Sequence, residues 1–144
     1  MKNFKNKVAA ITGAGSGIGQ QLAVLLAKQG CHLSLSDVNA QGLAQTVELL
    51  EKSNVRVTTQ KLDVADRDAM KLWAADTVQH HGSVNMIFNN AGVALGSTVE
   101  GASYEELEWI VNINFWGVVY GTKEFLPLIK KSGEGHIINI SSLL

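Results

Sequence analysis

The residues best suited to chemistry form a glycine-rich turn near the start of the chain. Residues 12–19 read Thr-Gly-Ala-Gly-Ser-Gly-Ile-Gly and join a short apolar run to an amphipathic segment. Glycine permits a tight turn and leaves the main chain open to a pyrophosphate, which the N-terminus of a following helix attracts. The alternative is a flexible turn that binds nothing. A Walker loop is excluded because no Gly-Lys-Ser/Thr sequence follows.

Carboxylates follow the second and third apolar runs. Asp37 lies 18 residues beyond Gly19, close to the spacing at which a carboxylate binds the adenosine ribose of a dinucleotide. A 2′-phosphate there would be repelled by about 4 kcal/mol at about 4 Å and an effective dielectric of about 20. No lysine or arginine adjoins Asp37, so the position predicts NAD rather than NADP. The alternative is that Asp37 only caps a helix or shapes a turn, and Asp63 or Asp66 could likewise cap the helix after the third strand.

Polar residues also follow the later runs. Asn-Asn-Ala-Gly at residues 89–92 combines small residues, which let the main chain approach a cofactor, with amides that bond locally. Asn114 stands on an apolar helical segment, three residues before Gly117, and is either functional or a core amide with satisfied hydrogen bonds. Ser142 lacks a Gly-x-Ser-x-Gly elbow, which excludes a hydrolase nucleophile. Its alternative is an ordinary hydroxyl at a strand end.

Strand and helix patterns alternate along the chain and place these residues. Apolar runs predict strands over residues 8–12, 32–36, 55–61, 84–88 and 136–140. Apolar stripes predict helices over residues 18–29, 40–52 and 66–80, and a long helix from Ser103 to about Leu126, where Pro127 disturbs it. This order is typical of an α/β fold: a Rossmann-type doubly wound parallel sheet in three αβα layers, here one dinucleotide-binding domain over residues 1–144. Ligands of such sheets bind at the carboxyl ends of the strands, where each motif lies.

Composition narrows the class of protein. The 144 residues are 46% hydrophobic and 17% charged, with a net charge of −1 and no basic cluster, so neither nucleic acid nor an anionic membrane is an expected partner. The single cysteine, Cys31, is predicted to be buried and fits a reducing cytoplasm. The four histidines lack metal-ligand spacing, so no metal is predicted. Trp109, Phe115 and Trp116 are expected to pack against the sheet or against another subunit.

Together these motifs resemble the first part of the short-chain dehydrogenase/reductase family. The spacing Gly13-x-x-x-Gly17-x-Gly19, the Asn-Asn-Ala-Gly turn and the serine after the fifth strand occur in the family's order, over residues 7–142. The resemblance implies an NAD(P)-dependent enzyme that transfers hydride between the nicotinamide and a secondary alcohol or ketone, commonly as a homodimer or homotetramer. The implied cofactor-binding residues are Gly13, Gly15, Ser16, Gly17, Ile18, Gly19, Asp37, Asp63, Val64, Asn90, Ala91 and Gly92.

The resemblance also implies individual roles. Asp63 and Val64 would contact the adenine edge, and residues 90–92 would lie beside the nicotinamide ribose. The Asn114 side chain would help to kink the long helix, while its carbonyl holds a water linked to a catalytic lysine. Ser142 would bind the substrate carbonyl. Asn114 and Ser142 are therefore the catalytic residues expected within the chain, with Asn112 as the competing asparagine.

The family's catalytic Tyr-x-x-x-Lys pair is missing from these residues. Tyr104 and Tyr120 are followed four residues later by Glu108 and Glu124. We therefore expect the pair beyond residue 144, in a longer enzyme of which this chain is the N-terminal portion, truncated after the fifth strand and inactive alone. The alternatives are a non-catalytic NAD-binding fragment or sensor, and a dehydratase or epimerase of the extended branch, whose Gly-x-x-Gly-x-x-Gly loop is not seen. The substrate stays open.

Overall fold

The computed structural model describes residues 1–142 and arranges five strands in one parallel sheet. The strands are β1 (Val8–Thr12), β2 (His32–Asp37), β3 (Val57–Lys61), β4 (Met86–Asn89) and β5 (His136–Asn139). Their order across the sheet is β3-β2-β1-β4-β5. Since β2 and β4 leave β1 on opposite sides, the strand order reverses at β1, and a crevice opens there at the carboxyl ends.

Helices cover both faces of the sheet and create two apolar cores. The helices are α1 (Gly17–Lys28), α2 (Ala40–Leu49), α3 (Arg67–His81), α4 (Tyr104–Val111), a π-helical segment (Asn112–Trp116) and α5 (Gly117–Ser132). Alternate residues of β1 face opposite layers because side chains alternate along a strand. Ile11 packs with Leu26 and Leu43 of α1 and α2, whereas Ala10 packs with Met70 of α3 and Phe125 of α5. The predicted three-layer, doubly wound fold is therefore confirmed.

The predicted end of the long helix near Leu126 is wrong. α5 runs through Pro127 to Ser132, and Gly133 ends it with a φ of 91°. Proline removes one main-chain hydrogen bond, but Phe125 and Ile129 are 0% and 5% exposed and anchor the helix on both sides of it. The Phe125 ring meets that of Trp73 edge to face at 5.0 Å. Burial of these side chains outweighs the lost bond, since tertiary packing supplies most helical stability.

The other predictions from the sequence agree more closely with the structure. α2 ends three residues early, at Leu49, and β3 and β4 begin at Val57 and Met86 rather than two residues earlier. Cys31 is buried as predicted, and burial raises the pKa of its thiol to about 12, so the reactive thiolate does not form at neutral pH. Within the described part of the chain, no helix is both long and apolar enough to cross a lipid bilayer.

Candidate dinucleotide site

The glycine-rich turn brings the N-terminus of α1 to the carboxyl edge of β1. Gly13 and Gly17 adopt positive φ angles of 65° and 53°, a region that glycine enters without steric penalty. Ser16 precedes the helix, and its side chain makes no capping hydrogen bond. The first N–H groups of a helix have no partner within the helix. This end of α1 therefore presents N–H donors and the positive end of the helix dipole, which suit an anion.

Two further glycines give the turn its close packing. A Cβ atom on Gly19 would lie 2.2 Å from the Gly13 carbonyl oxygen, and one on Gly15 would lie 2.9 Å from Oδ2 of Asp37. Both residues are buried, so they form the back of the turn. Gly17 differs, because no atom lies within 4 Å of the place where its Cβ would be. The outer side of the turn is thus open to a ligand.

Asp37 is held at the carboxyl end of β2 by two main-chain donors. Its Oδ2 accepts the Gly15 N–H at 2.8 Å, and its Oδ1 accepts the Asn39 N–H at 2.9 Å. The residue that caps α2 is Asn39, whose Oδ1 accepts the Gly42 N–H at 3.1 Å, so the helix-cap alternative for Asp37 is wrong. The bond to Asn39 does shape a turn. An ionised carboxylate accepts about four hydrogen bonds, which leaves Asp37 capacity for a ligand's hydroxyls.

Thr12 connects the turn to the Asn-Asn-Ala-Gly segment. Its hydroxyl donates to the Phe88 carbonyl at 3.3 Å and accepts the N–H groups of Asn90 and Ala91 at 3.0 and 2.9 Å. The Asn90 side chain donates back to the Thr12 carbonyl at 3.0 Å. These bonds join β1 to β4 where the strand order reverses. Thr12 is not among the predicted site residues, although a hydroxyl directly before the first glycine was an available signal.

Asn89 performs the equivalent task between β4 and β5. Its buried amide donates to Oδ1 of Asn139 at 2.9 Å and to the hydroxyl of Thr122, on α5, at 3.3 Å. Ser142 follows three residues after Asn139, beyond the end of β5, and is exposed. It lies toward the same carboxyl edge because β4 and β5 are parallel, but it is not among the residues that line the cleft described below.

Asn114 lies in the π-helical segment of the long helix. Its Oδ1 accepts the Val93 N–H and its Nδ2 donates to the Val93 carbonyl, both at 2.8 Å. Around it, the Gly117 N–H bonds the Asn112 carbonyl, five residues back, instead of the usual four. The amide is thus engaged with the main chain directly after the Asn-Asn-Ala-Gly turn. Of the two candidate asparagines, Asn114 is the one that joins the helix to this turn.

The loop after β3 contains Asp63, Val64 and Asp66. Oδ1 of Asp66 accepts the Ala69 N–H at 3.0 Å and caps α3, so the cap alternative holds for this residue. Oδ1 of Asp63 accepts the Ala65 N–H at 2.9 Å and shapes the turn. Val64 is buried and packs on Gly117, where a Cβ would lie 2.7 Å from its Cγ2 atom. Only a glycine at position 117 lets the long helix approach this loop.

These segments enclose a cleft of about 350 Å³ at the carboxyl edge of the sheet. The residues that line it are Gly13, Ser16, Gly17, Ile18, Asp37, Val38, Leu62, Asp63, Val64, Asn90, Ala91, Gly92, Val93 and Ile113. Every predicted cofactor residue except Gly15 and Gly19 is among them. The four that were not predicted are apolar and adjoin a predicted residue in sequence. A prediction based on polar groups and glycines does not identify the apolar residues that line a cleft.

Comparisons with known proteins agree with this geometry. The family model described as short chain dehydrogenase matches residues 7–144. The chain is 48% identical over 143 residues to SadH of Mycobacterium tuberculosis (strain H37Rv), covering 99% of this chain and 52% of that protein. It is 35% identical over 142 residues to the cyclohexanol dehydrogenase of Acinetobacter (strain SE19), covering 97% and 56%.

A solved structure gives the same result in three dimensions. The short chain dehydrogenase/reductase from Burkholderia phymatum, crystallised in complex with NAD, superposes with a TM-score of 0.95 at 35% identity. The match covers 99% of this chain and 51% of that one. The chain therefore spans about half the length of the curated relatives it matches.

Proposed function

The chain belongs to the short chain dehydrogenase family, and we propose that it is the NAD-binding part of an oxidoreductase acting on a secondary alcohol or ketone. One observation carries the proposal: the uncapped N-terminus of α1 and the carboxylate of Asp37 line the same cleft. An anion-binding helix end beside a ribose-binding carboxylate is what a dinucleotide requires. The NAD complex of the Burkholderia phymatum protein and the name of the Acinetobacter cyclohexanol dehydrogenase give further support.

The residues present suit the parts of NAD. The N–H groups at the start of α1 would bind the pyrophosphate, and Asp37 would accept the hydroxyls of the adenosine ribose. Leu62 and Val38 provide an apolar surface next to Asp63 for the adenine ring. Residues 90–92 would lie beside the nicotinamide ribose. When bound, the nicotinamide accepts or supplies the hydride of the reaction.

Asp37 also favours NAD over NADP. Both of its oxygens already accept main-chain N–H groups, which hold the carboxylate in place at the end of β2. A 2′-phosphate brought to this carboxylate would meet an unfavourable like charge. Val38, Asn39 and Ala40 follow in the sequence. Lys61 pairs with Asp37 in the sheet, but no lysine or arginine is among the residues that line the cleft to offset the like charge.

The remaining roles concern the substrate. Ser142 would donate its hydroxyl to the substrate carbonyl, and Asn114 would act through the helix and through Val93, since its amide is engaged there. Proton transfer in such a reaction needs a group with a suitable pKa. Neither Tyr104 nor Tyr120 has a lysine four residues on, so we assign this step to a Tyr-Lys pair outside the 144 residues.

Calorimetric titration of the purified protein with NAD and with NADP tests the cofactor. We expect NAD to bind at least about tenfold more tightly, because a like charge of this kind is worth 1.4 kcal/mol or more. Asp37→Asn retains an acceptor for the Gly15 N–H but removes the charge, and should reduce the preference toward unity. Equal affinity of the unaltered protein for both dinucleotides contradicts the specificity, and no affinity for either contradicts the function. NADH formation from NAD and cyclohexanol by the 144 residues alone would contradict the assigned Tyr-Lys step.

We also propose a subunit contact on the long helix. Trp109, Phe115 and Trp116 are 45%, 57% and 42% exposed, so they do not complete the core beneath them. Large apolar side chains grouped on one surface are typical of protein interfaces. Analytical ultracentrifugation should find a dimer or tetramer that Phe115→Ser weakens. A protein that is monomeric at all concentrations would contradict the contact.

A further inference from the structure

Helix α2 packs directly on the glycine-rich turn. A Cβ atom on Gly42 would lie 2.7 Å from the Gly15 carbonyl oxygen and 3.2 Å from the Gly15 Cα atom. One helical turn later, the hydroxyl of Thr46 donates to the Ala14 carbonyl at 2.7 Å. Thr46 is fully buried. Two residues of α2 therefore contact residues 14 and 15 of the turn.

The Thr46 hydroxyl connects three elements. While it donates to Ala14, it also accepts a hydrogen bond from Nε2 of Gln20, on α1, at 3.0 Å. A hydroxyl has one hydrogen to donate, and the Ala14 carbonyl at 2.7 Å is nearer to it than the Gly42 carbonyl, one turn back in α2, at 3.1 Å. Because the site is buried, loss of this hydroxyl would leave polar partners unsatisfied. α1, α2 and the turn are thus held in one arrangement.

Ala14 and Gly15, which α2 contacts, are also hydrogen-bonded to residues at the end of β2, next to the site. The Ala14 N–H bonds the Ser36 carbonyl at 3.0 Å, and the Gly15 N–H bonds Oδ2 of Asp37 at 2.8 Å. A displacement of residues 14 and 15 would therefore move both the start of the anion-binding helix and the ribose-binding carboxylate. Neither Gly42 nor Thr46 lines the cleft, so any influence on a ligand passes through the turn.

We propose that Thr46 and Gly42 are positioning residues of the dinucleotide site. α2 determines the position of the turn, because Thr46 donates a hydrogen bond to Ala14 and Gly42 allows close contact with Gly15. A side chain at position 42 would displace Gly15, because its Cβ would lie 2.7 Å from the Gly15 carbonyl oxygen. The inference rests on the proposed binding of NAD and adds two residues that act on it from outside the cleft.

Threonine-to-valine substitutions in α2 and in α3 separate an effect on the position of the turn from an effect on the stability of the protein. Thr77 provides the matched control: it is 1% exposed, its hydroxyl donates to the Trp73 carbonyl at 2.8 Å and lies 2.7 Å from Oγ of Ser34. It does not line the dinucleotide cleft. Thr46→Val and Thr77→Val each remove one buried hydroxyl at almost constant volume, and Thr46→Ser keeps the hydroxyl.

Thr46→Val should raise the dissociation constant of NAD about fivefold, the equivalent of one hydrogen bond. Thr46→Ser and Thr77→Val should stay within about twofold of the unaltered protein, although both valine variants melt at lower temperature. Gly42→Ala should weaken binding more than Thr46→Val does. In the absence of NAD, amide hydrogen exchange at Gly15 should be faster in Thr46→Val and unchanged in Thr77→Val.

The outcomes distinguish the inference from the function on which it rests. If the unaltered protein binds NAD and Thr46→Val binds it equally well, or if Thr77→Val weakens binding as much, the positioning role is overturned. If the unaltered protein does not bind NAD, the proposed function fails, and this inference fails with it. Unchanged amide hydrogen exchange at Gly15 in Thr46→Val would by itself overturn the claim that Thr46 holds the turn in position.

Discussion

The N-terminus of α1 differs from the other helix starts that follow a loop. α2, α3 and α4 are each capped by a side chain: Asn39 accepts the Gly42 N–H at 3.1 Å, Asp66 accepts that of Ala69 at 3.0 Å, and Ser103 accepts that of Glu106 at 3.2 Å. Ser16 makes no such bond. A capping side chain is worth about 1 kcal/mol. α1 lacks this stabilisation at the place where its free donors line the cleft.

Charge divides the helix starts differently. α3 and α4 carry carboxylates in their first turns, which favour the positive end of a helix dipole. The first turns of α1 and α2 have none, so α1 is the one of these four starts that lacks both a cap and an acid. A carboxylate there would occupy the position that suits a phosphate. A capping group stabilises a helix start with a structural role, whereas a helix start without one keeps its N–H donors available to an anion.

The largest effect is expected from adding a side chain within the glycine-rich turn at the start of α1. In Gly19→Ala the new Cβ would lie 2.2 Å from the Gly13 carbonyl. The free energy of unfolding should fall by about 3 kcal/mol through overpacking, and NAD binding should be lost. Urea denaturation and calorimetry measure the two effects. Gly96→Ala is the control, because nothing lies within 4 Å of its Cβ position. A stable, NAD-binding Gly19→Ala protein would refute the role of α1.

The C-terminal end of α3 contains a histidine that should make the free energy of unfolding depend on pH. His81 is 5% exposed, and its Nε2 lies 2.8 Å from the Thr58 hydroxyl. Burial, and then the charge of Arg56, lower its pKa from 6.5 to about 4. The unfolded chain therefore takes up a proton below pH 6.5, whereas the folded protein does so only near pH 4. The free energy of unfolding should decline as pH falls through this window, by roughly 3 kcal/mol in total.

Urea titrations at pH values between about 7 and 4.5 measure this decline. Other groups also titrate in this range, so the comparison is made with His81→Gln, which keeps a polar side chain but takes up no proton. The variant should show a shallower slope. Equal slopes in the two proteins would rule out His81 as a source of the decline.

Adding a cap to α1 tests whether its free N–H donors bind an anion. Ser16→Asp places a carboxylate at a position where aspartate is a good N-cap, so the melting temperature should hold or rise slightly. NAD should bind about tenfold more weakly, since the added charge opposes the pyrophosphate. Ser16→Ala removes no capping bond and should change stability by less than about 0.5 kcal/mol. Undiminished NAD affinity in Ser16→Asp would contradict anion binding at this helix end.

The smallest effect is expected from removing an existing cap. Asp66→Ala loses the bond to the Ala69 N–H, and the free energy of unfolding should fall by about 1 kcal/mol. NAD affinity should not change, because Asp66 does not line the cleft. Asp66→Asn, which retains the acceptor, should restore stability. A fall in NAD affinity as large as that in Ser16→Asp would remove the distinction between the two helix starts.

Local pattern was enough to predict the alternating fold and most of the cleft. Strand and helix periods depend on neighbouring residues, and parallel topology brings the strand ends together. The turn at residues 13–19, the acid at Asp37 and the turn at residues 89–92 could therefore be placed at one edge beforehand. The continuation of α5 past Pro127 could not, because it depends on burial of Phe125 and Ile129 by other elements.

By itself, the sequence determined the kind of sheet, the glycine-rich start of α1 and the family, since each depends on residue types at short spacing. Only the tertiary structure decided how these parts are held. The Thr12 bonds to Asn90, the grip of Asn114 on Val93 and the clamp of Thr46 on Ala14 join residues 78, 21 and 32 positions apart. Such contacts arise when the chain packs, because only the folded arrangement brings polar groups this far apart in sequence within hydrogen-bond distance.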